Sequence, residues 1–412
     1  MTALARQLSL TDAVFIGLAA MLGAGIFAAI APALTAAGNW VWLSLLLAAV
    51  VAYCNAVSSA QLAACHPQAG GTYLYARERL HPLAGFIAGA CFLVGKTASG
   101  AVMALTFAHY LLPAYAKPAA LLALALLTAL NLLGIAKTAL VSRLIVVMVI
   151  AGLLAIVALC LSAPTADWRR LLPSDSVSPA GLLQGAAIWF FAFAGYARLA
   201  TLAEEVREPR RVLTRAIPLS LTLVLGLYLL VSLAALSAAG PSALAASAAP
   251  LATAVEAAGF AALAPAVRLL AAIACLGVLI ALIAGISRTL LAMSRNRDLP
   301  GFFEHIEPRR QVPRRAELTV ALAIGIAITS LDVYEAIGFS AFCVLLYYAL
   351  TNASALKLSK TERVWPRALS HIGLVGCLLL AFSLPDKALL WGGLCVSALT
   401  VYYLIRKNRH GY

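Results

Sequence analysis

The sequence has few charged residues for its length. Charged side chains make up 11% of the 412 residues, whereas 63% are hydrophobic and the mean hydropathy is +0.96. A soluble domain usually has about 25% charged residues. The composition therefore excludes a soluble protein and predicts an all-α polytopic membrane protein, because helices satisfy their own backbone hydrogen bonds within lipid.

The cysteines lack the spacing that metal or redox sites require. None of the eight forms a C-x-x-C pair, and most lie inside apolar stretches. Zinc centres and dithiol motifs use such close pairs, so we predict free thiols in the core, no metal and no cofactor. The sequence also has no grouping of histidine with acidic, serine or cysteine residues at one depth that would suit an intramembrane enzyme. We expect a protein that is not an enzyme.

Acidic residues are scarce as well. Sixteen Asp and Glu stand against 30 Lys and Arg, which gives a formal charge of +14. Such a charge could indicate a nucleic-acid partner, so the positions of the cations decide. If the N-terminus is cytoplasmic, most cations fall in loops on that side, and the opposite side keeps little more than Lys117, Arg169, Arg170 and Lys387. This positive-inside distribution predicts a bacterial-type cytoplasmic (inner) membrane protein with cytoplasmic N- and C-termini, the lipid bilayer as partner and no nucleic acid.

The first ten residues are too short for a removable signal and no cleavage site follows them, so the first span is expected to direct insertion. Windows of about 20 apolar residues, the length that crosses a hydrocarbon core, predict twelve spans. These spans lie near residues 11–35, 40–63, 83–112, 119–134, 140–162, 180–202, 213–237, 264–286, 316–331, 333–356, 370–385 and 388–405.

Two glycines interrupt the first span. Gly23 and Gly25 each cost a helix interior about 1 kcal/mol relative to alanine. We interpret the stretch as an unwound helix whose bare backbone is a binding surface, because a break in lipid is tolerated only where the backbone faces protein, water or ligand. The competing interpretation is a small-residue packing face, and the glycines alone leave both open. On the first interpretation, Gly25→Val should abolish uptake and leave folding largely intact.

Gly195 interrupts the sixth span in the same way. The two interruptions open successive five-helix blocks, and glycine-broken spans at matching places in two halves are typical of inverted-repeat transporters. We predict a first repeat over residues 1–162, a second over 163–360, and two further helices with a cytoplasmic C-terminus over 361–412.

Two of the cations inside predicted spans are candidates for a functional role. Lys96 is about 13 residues past the start of the third span, roughly 20 Å along the helix axis. A lysine at that depth should face the bundle interior and is a functional candidate, although a merely structural cation bonded to helix carbonyls would look the same. Arg198 lies three residues past Gly195, and it either finds carbonyls, an anion or water, or extends to the cytoplasmic end.

Six groups of residues run in order along nearly the whole chain: Gly23-Ala-Gly-Ile-Phe27; Pro67-x-x-Gly-Gly-x-Tyr73 with Tyr75-Ala-Arg77; Gly85-Phe86; Phe191-Ala-Phe-x-Gly195 with Ala203-Glu-Glu-Val206 and Pro209; Ser287-Arg288 with Met293-Ser-Arg295 and Leu299-Pro300; and Leu346-Tyr-Tyr-Ala-Leu-Thr-Asn352. Together they resemble the amino acid/polyamine/organocation permeases.

The resemblance implies twelve transmembrane helices in a leucine-transporter-like fold, that is, a 5+5 inverted repeat plus two C-terminal helices. It implies that substrate lies between the first and sixth helices. The substrate carboxylate is then expected on backbone amides around Gly23, Ala24, Gly25 and Ile26. The ammonium is expected on carbonyls around Phe191 and Ala194. Helix termini favour these charges, because their N-terminal ends carry a partial positive charge and their C-terminal ends a partial negative one.

The sequence departs from the family in two places. Ala197 and Arg198 follow the Gly-aromatic pair where many members have an acidic or polar residue. Members that work without sodium can carry a lysine in the fifth helix, but residues 144–149 contain no cation. We hypothesise that Lys96 takes that role, either by moving a proton or by standing in for a sodium ion. Hydroxyls such as that of Ser287 could instead help to build a sodium site, so the coupling ion stays open.

We therefore expect a secondary active transporter, permease or exchanger, of small neutral L-amino acids that works by alternating access. The expected pocket lining is small and apolar and comprises Ala24, Ile26, Ala194 and Gly100, with Phe191 as a lid. The alternative is an acidic amino acid or another organic anion held by Lys96 and Arg198. A membrane-embedded enzyme or a non-transporting sensor is less favoured. The protein could be a monomer or a homodimer.

Overall fold

The structure is a computed structural model that describes residues 8–66, 70–134, 139–172, 178–196, 198–199, 206–307, 310 and 312–410. Helices lie on every predicted span. Their bounds are α1 Leu10–Met21, α2 Ala24–Ala37, α3 Val41–Cys65, α4 Thr72–Arg79, α5 Pro82–Leu111, α6 Ala116–Leu132, α7 Ala139–Ser162, α8 Pro179–Phe193, α9 Pro209–Ala239, α10 Pro241–Ala245, α11 Pro250–Ala257, α12 Ala264–Arg295, α13 Arg314–Ser330, α14 Val333–Ala355, α15 Arg367–Phe382 and α16 Asp386–His410.

The prediction of a polytopic membrane protein is confirmed. In the described part of the chain, eight segments are long and apolar enough to cross a membrane, one of which runs from α2 through a turn into α3. Gly38 has a φ of 52° in that turn, a conformation that glycine adopts without strain. The helices α1 and α15 are apolar but shorter. The number of twelve crossings stays a prediction.

Large apolar side chains cover the outside of the bundle. Leu122 on α6, Leu322 on α13, Val375 on α15 and Leu390 on α16 are each at least 60% exposed. A soluble protein avoids a continuous apolar surface of this kind, whereas lipid solvates it. These faces therefore mark the sides of the helices that contact the bilayer.

The helix α5 lies at the centre of the bundle. It packs against α12 and α14 most extensively, and also against α2, α4, α6, α13 and α16. Lys96 lies in the middle of α5 and is 7% exposed. The central position of α5 thus places a charged side chain inside the protein rather than in lipid.

Polar contacts join residues that the charge distribution assigns to the same side. Arg79 pairs with Glu362, and Arg143 with Asp12, on the side predicted to be cytoplasmic. Lys387 pairs with Glu335 at 2.7 Å on the opposite side. Each of these pairs thus joins two residues at the same end of the bundle, and the orientation of the bundle in the membrane stays a prediction.

A buried polar cluster joins α3, α14 and α15. The Asn352 amide donates to Asn55 Oδ1 at 2.6 Å and to the Tyr348 carbonyl at 2.9 Å, and the Cys377 thiol donates to Asn55 Oδ1 at 3.3 Å. A Cβ on Gly373 of α15 would lie 2.5 Å from Asn352 Oδ1. Since two hydrogen bonds hold the Asn352 amide, it has little freedom to move away from Gly373.

We expect Gly373→Ala to lower the thermal stability of the detergent-solubilised protein by about 1–3 kcal/mol, because it overpacks this helix contact. Gly393→Ala is the matched control on α16, where an added Cβ meets no atom within 4 Å. The control should change stability by no more than about 1 kcal/mol, in the direction of stabilisation. Equal melting temperatures for the two variants would contradict the described packing of α15.

Candidate functional site

The first span is interrupted where the sequence predicts. The helix α1 ends at Met21, Leu22 lies outside helical geometry with ψ 45°, and α2 begins at Ala24. The Gly23 N–H donates back to the Met21 carbonyl at 2.8 Å. No side chain caps the N-terminus of α2. The prediction of a helix break at these glycines is confirmed.

Close packing explains why both residues are glycine. A Cβ on Gly23 would lie 2.6 Å from Val278 Cγ2, and one on Gly25 would lie 2.9 Å from the Ala192 Cβ. The two interpretations of the motif are therefore compatible, because one segment is both a helix break and a small-residue contact face. The contact also changes the expectation for Gly25→Val. That substitution forces α2 and α8 apart, so it disturbs folding together with uptake.

The N-terminus of α2 presents backbone amides. The first N–H groups of a helix have no intrahelical partner, which here concerns Ala24, Gly25 and Ile26. Ile26 is fully buried. Bare amides at a helix N-terminus, together with the helix dipole, favour a negative group such as a carboxylate.

The sixth span is interrupted at the corresponding place. The helix α8 ends at Phe193, and a single 3₁₀ turn covers Ala194–Tyr196. A Cβ on Gly195 would overlap the backbone of Ala20 and Met21, so the two interruptions touch backbone to backbone. Residues 197 and 200–205, including Ala197 and the Ala203-Glu-Glu motif, lie outside the described residues.

Side chains from other helices bond the carbonyls at both interruptions. Lys96 Nζ on α5 donates to the Ala194 carbonyl at 3.0 Å, and the Tyr348 hydroxyl on α14 lies 3.4 Å from the same oxygen. The Tyr228 hydroxyl on α9 donates to the Met21 carbonyl at 2.7 Å. The carbonyl ends of α1 and α8 are thus satisfied by donors that belong to the surrounding bundle.

Arg198 turns towards α12. Its Nη1 donates to the Ala281 carbonyl at 3.2 Å. A Cβ on Gly285 would lie 3.4 Å from the same nitrogen. The guanidinium therefore extends across to a neighbouring helix. Ser287, one turn further along α12, donates to the Ile283 carbonyl of its own helix.

The structure brings most of the predicted site residues together, but not all. The interrupted segments hold Gly23 to Ile26 on one side and Ala194 and Gly195 on the other, with Phe191 buried one turn before the break. The exception is Gly100, since a Cβ on this residue would lie 2.8 Å from Ile324 Cδ1 and this face of the glycine therefore packs on α13. A cavity of about 300 Å³ between α5, α12, α13 and α14 is lined mostly by apolar residues, with Thr97 and Thr319, and its lining among the described residues includes no residue of the interruptions.

Sequence reasoning missed Tyr228 and gave Tyr348 no role. Both are fully buried tyrosines in apolar helices. A buried tyrosine hydroxyl needs a hydrogen-bond partner, and that requirement was the available signal. The partner itself, a carbonyl on another helix, can be identified only from the tertiary structure.

Ion pairs join several elements on the side predicted to be cytoplasmic. Arg77 donates to Asp298 at 2.7 Å, and Tyr73 donates to the same carboxylate at 2.6 Å. Arg79 makes a bidentate pair with Glu362, and its Nε donates to His66 Nε2 at 3.0 Å. The short helix α4 is thereby tied to the end of α12 and to the connection between α14 and α15.

The charge states of this network follow from its geometry. Hydrogen bonds from Arg79 lower the pKa of Glu362 to about 2, so this carboxylate stays ionised at physiological pH. Burial lowers the pKa of His66, which agrees with a neutral ring that accepts from Arg79. The contribution of Glu362 to stability is present above its unfolded pKa of about 4.3 and is lost as the pH falls towards about 2. The pair therefore holds at every physiological pH.

The model of the amino acid permease family matches residues 8–403 of the sequence. The chain belongs to the amino acid permease family. This confirms the resemblance to amino acid/polyamine/organocation permeases, and the permease is a transporter rather than an enzyme. It is 49% identical over 404 residues to an uncharacterized transporter of Mycobacterium tuberculosis, across 98% of this chain and 92% of the relative.

More distant relatives carry substrate names. The permease is 24% identical to the branched-chain amino acid permease of Bacillus subtilis, across 89% of this chain and 83% of the relative. It is 27% identical to the vacuolar cationic amino acid transporter 2 of Arabidopsis thaliana, across 86% of this chain and 60% of the relative.

We expect Tyr228→Phe to destabilise the permease by about 1 kcal/mol, because the variant loses the donor to the Met21 carbonyl at the end of α1. Tyr115→Phe is the control, since Tyr115 is 70% exposed. Thermal unfolding followed by size-exclusion chromatography measures both. A drop in melting temperature for Tyr115→Phe as large as that for Tyr228→Phe would contradict the assignment.

Cys65 reports on the cytoplasmic ion pairs, because its Sγ lies 3.8 Å from the Glu362 carbonyl oxygen. We expect Glu362→Gln to raise the rate at which an impermeant maleimide labels Cys65 in inside-out vesicles by about fivefold, the equivalent of about 1 kcal/mol for a bidentate pair. Glu208→Gln, which removes an exposed pair within one helix, should leave the rate unchanged. Labelling that persists after Cys65→Ser comes from another thiol and is subtracted. An unchanged rate in Glu362→Gln shows that the pair does not restrain this end.

Proposed function

We propose that the permease is a secondary active transporter of small neutral L-amino acids across the cytoplasmic membrane, with alternating access around the two interrupted helices. The observation that carries the proposal is the backbone contact between the interruptions at Gly195 and Ala20. Together with the contact between Gly25 and Ala192, it brings the N-terminal amides of α2 close to the carbonyl end of α8. An amino acid has a carboxylate and an ammonium on one carbon, and these two helix ends are complementary to that pair of charges.

The scarcity of carboxylates around the interrupted helices supports a substrate with a neutral side chain. Asp298 and Glu317 are the buried acidic residues in the described part of the chain. Asp298 pairs with Arg77 on the cytoplasmic side, and Glu317 lies in the first turn of α13. Neither bonds to the interrupted segments, so a cationic substrate side chain would find no described carboxylate there. The relative named for branched-chain amino acids agrees with a neutral substrate, whereas the relative named for cationic ones does not.

The order of helices supports the inverted-repeat proposal. The interrupted pair α1 and α2 is followed by α3, α5, α6 and α7, which fall within residues 1–162. The interrupted α8 is followed by the long helices α9, α12, α13 and α14 within residues 163–360. The helices α15 and α16 then complete the chain within 361–412, and an even number of crossings keeps both termini in the cytoplasm.

Lys96 supports transport that does not depend on sodium. Its ammonium is a resident cation at a helix carbonyl end, the type of position that a bound metal cation would otherwise occupy. A buried lysine can release its proton, so it provides a route to proton coupling. The Ser287 hydroxyl bonds within α12, which gives no support to a sodium site there.

One observation favours the alternative substrate class. Lys96 and Arg198 place two cations beside the interruption of the sixth span, and both donate to carbonyls. A second carboxylate on the substrate, or an organic anion without an ammonium, would be attracted by these charges. Acidic amino acids and other organic anions are therefore the second candidates.

Counterflow in proteoliposomes tests the proposed function. Vesicles loaded with each unlabelled amino acid should accumulate the labelled form, and we expect alanine, serine and branched-chain amino acids to give signals about tenfold or more above empty liposomes. Replacement of sodium by choline should leave the rates unchanged. A thermal-shift screen of the same compounds reports binding independently, since a ligand at 100 times its Kd stabilises the folded state by about 2.7 kcal/mol.

The pattern of substrates decides between the candidates. A preference for glutamate, aspartate or carboxylates without an amine would replace the neutral assignment by the anionic one. Exchange of no amino acid and no organic anion would overturn the transporter proposal.

A further inference from the structure

We propose that the Lys96 ammonium is a tethered competitor for the cation position at the carbonyl end of α8, so that an amine-bearing substrate binds only when Lys96 leaves the Ala194 oxygen. The inference rests on the proposed function and concerns the same site. It assigns Lys96 a role in the choice between substrates with an ammonium and substrates without one.

The Ala194 oxygen is a favourable position for a positive charge. It belongs to the C-terminal end of α8, where the helix dipole places partial negative charge. Lys96 Nζ occupies it at 3.0 Å. The lysine reaches it from α5, and its side chain is 7% exposed. The cation is therefore held in the interior by a helix carbonyl.

No carboxylate in the described part of the chain compensates this charge. None of the ion pairs among the described residues includes Lys96. The titratable groups midway along the elements packed around α5 are phenols and thiols, namely Tyr196, Tyr347, Tyr348, Cys275, Cys343 and Cys395. The charged groups on these elements lie within about two turns of the helix ends. They are Arg77, Glu78, Arg79, Lys117, Arg268, Arg288, Arg295, Arg314, Arg315, Glu317, Glu335, Asp386, Lys387, Arg406 and Lys407. The helix α2 carries no ionisable side chain.

Two cations cannot share this oxygen. A substrate ammonium that reached the Ala194 carbonyl would lie within a few ångströms of Lys96 Nζ, in an interior that screens charge poorly. Since no described carboxylate would receive the displaced ammonium, Lys96 transfers its proton to water on the open side of the membrane and leaves the oxygen as a neutral amine. The carbonyl keeps a donor, because the substrate ammonium replaces Lys96 and the Tyr348 hydroxyl stays nearby at 3.4 Å.

A substrate without an ammonium meets the opposite situation. A 2-hydroxy acid has the same carboxylate for the amides of α2 but brings no second cation. Lys96 then stays on the Ala194 oxygen, and its charge attracts the ligand. The two kinds of ligand should therefore respond in opposite ways to the charge of Lys96.

The experiment compares matched ligands by equilibrium binding to the purified permease between about pH 5.5 and 7.5, where an α-amino group stays protonated. The first pair is L-alanine and L-lactate. The second pair is the amino acid that gives the strongest counterflow signal and the 2-hydroxy acid with the same side chain. We expect the amino acid to bind up to about tenfold more tightly per pH unit, because binding releases one proton. The 2-hydroxy acid should show no such gain.

Two variants change Lys96 in opposite directions. Lys96→Met removes the competitor, so amino acid binding should persist and lose its pH dependence. Lys96→Arg supplies a cation that cannot be deprotonated, so amino acid binding should fall by about tenfold or more at every pH, while binding of the 2-hydroxy acid persists. Lys387→Met, on an exposed lysine paired with Glu335, is the control and should behave as the wild type.

The outcomes separate the two proposals. Amino acid binding that is independent of pH, and equal in wild type, Lys96→Met and Lys96→Arg, overturns the competitor role and leaves the transporter intact. Failure of every amino acid to exchange in counterflow overturns the proposed function and this inference with it. If Lys96→Met does not elute as a folded protein, the pH dependence of the wild type and the ligand selectivity of Lys96→Arg decide the question.

Discussion

A helix that stops inside the bilayer leaves carbonyl oxygens that water cannot reach, and this constraint organises the centre of the permease. At the end of α1, the Met21 oxygen accepts from Gly23 and from Tyr228. At the end of α8, the Ala194 oxygen accepts from Lys96 and lies within reach of Tyr348. The donors come from α9, α5 and α14. The interruptions are therefore a product of the whole bundle, since side chains of three other helices complete the hydrogen bonds of the two helix ends.

The sequence predicts those features of the interruptions that have local causes, and it does not predict those that depend on contacts with other helices. The apolar runs located the helices, and the cost of Gly23, Gly25 and Gly195 located the breaks, because both effects are local. The reason for glycine at these positions is tertiary: Gly195 touches the backbone of α1, and Gly25 touches Ala192. For the same reason the depth of Lys96 was predictable from its position along α5, but its acceptor was not. Gly100 was expected in the small, apolar lining of the pocket, yet a Cβ on this residue would meet Ile324 of α13.

Ion pairs are found at both ends of the permease, and the end opposite the predicted cytoplasmic side also has a buried hydrogen bond between neutral groups. On the side predicted to be cytoplasmic, ion pairs tie α4 to the rest of the bundle through Arg77 and Arg79. At the other end, Tyr110 donates to the Phe27 carbonyl of α2 at 3.0 Å, and Arg268 lies 3.4 Å from the Tyr110 carbonyl. Exposed ion pairs weaken with salt, whereas hydrogen bonds between buried neutral groups are screened much less. Salt therefore weakens the exposed ion pairs at both ends and has little effect on the hydrogen bond between Tyr110 and the Phe27 carbonyl.

The Lys96 ammonium differs from a diffusible ion because it is covalently attached to the protein. Lys96 can leave the Ala194 oxygen without leaving the protein, so the competition between lysine and substrate takes place at a fixed local concentration. On the proposed function, the carbonyl then passes from one ammonium to another and is never without a donor. This matters because an unpaired buried carbonyl costs about 1–3 kcal/mol, which would oppose every cycle. The Tyr348 hydroxyl reduces that cost further, since it gives the oxygen a neutral partner while the cations exchange.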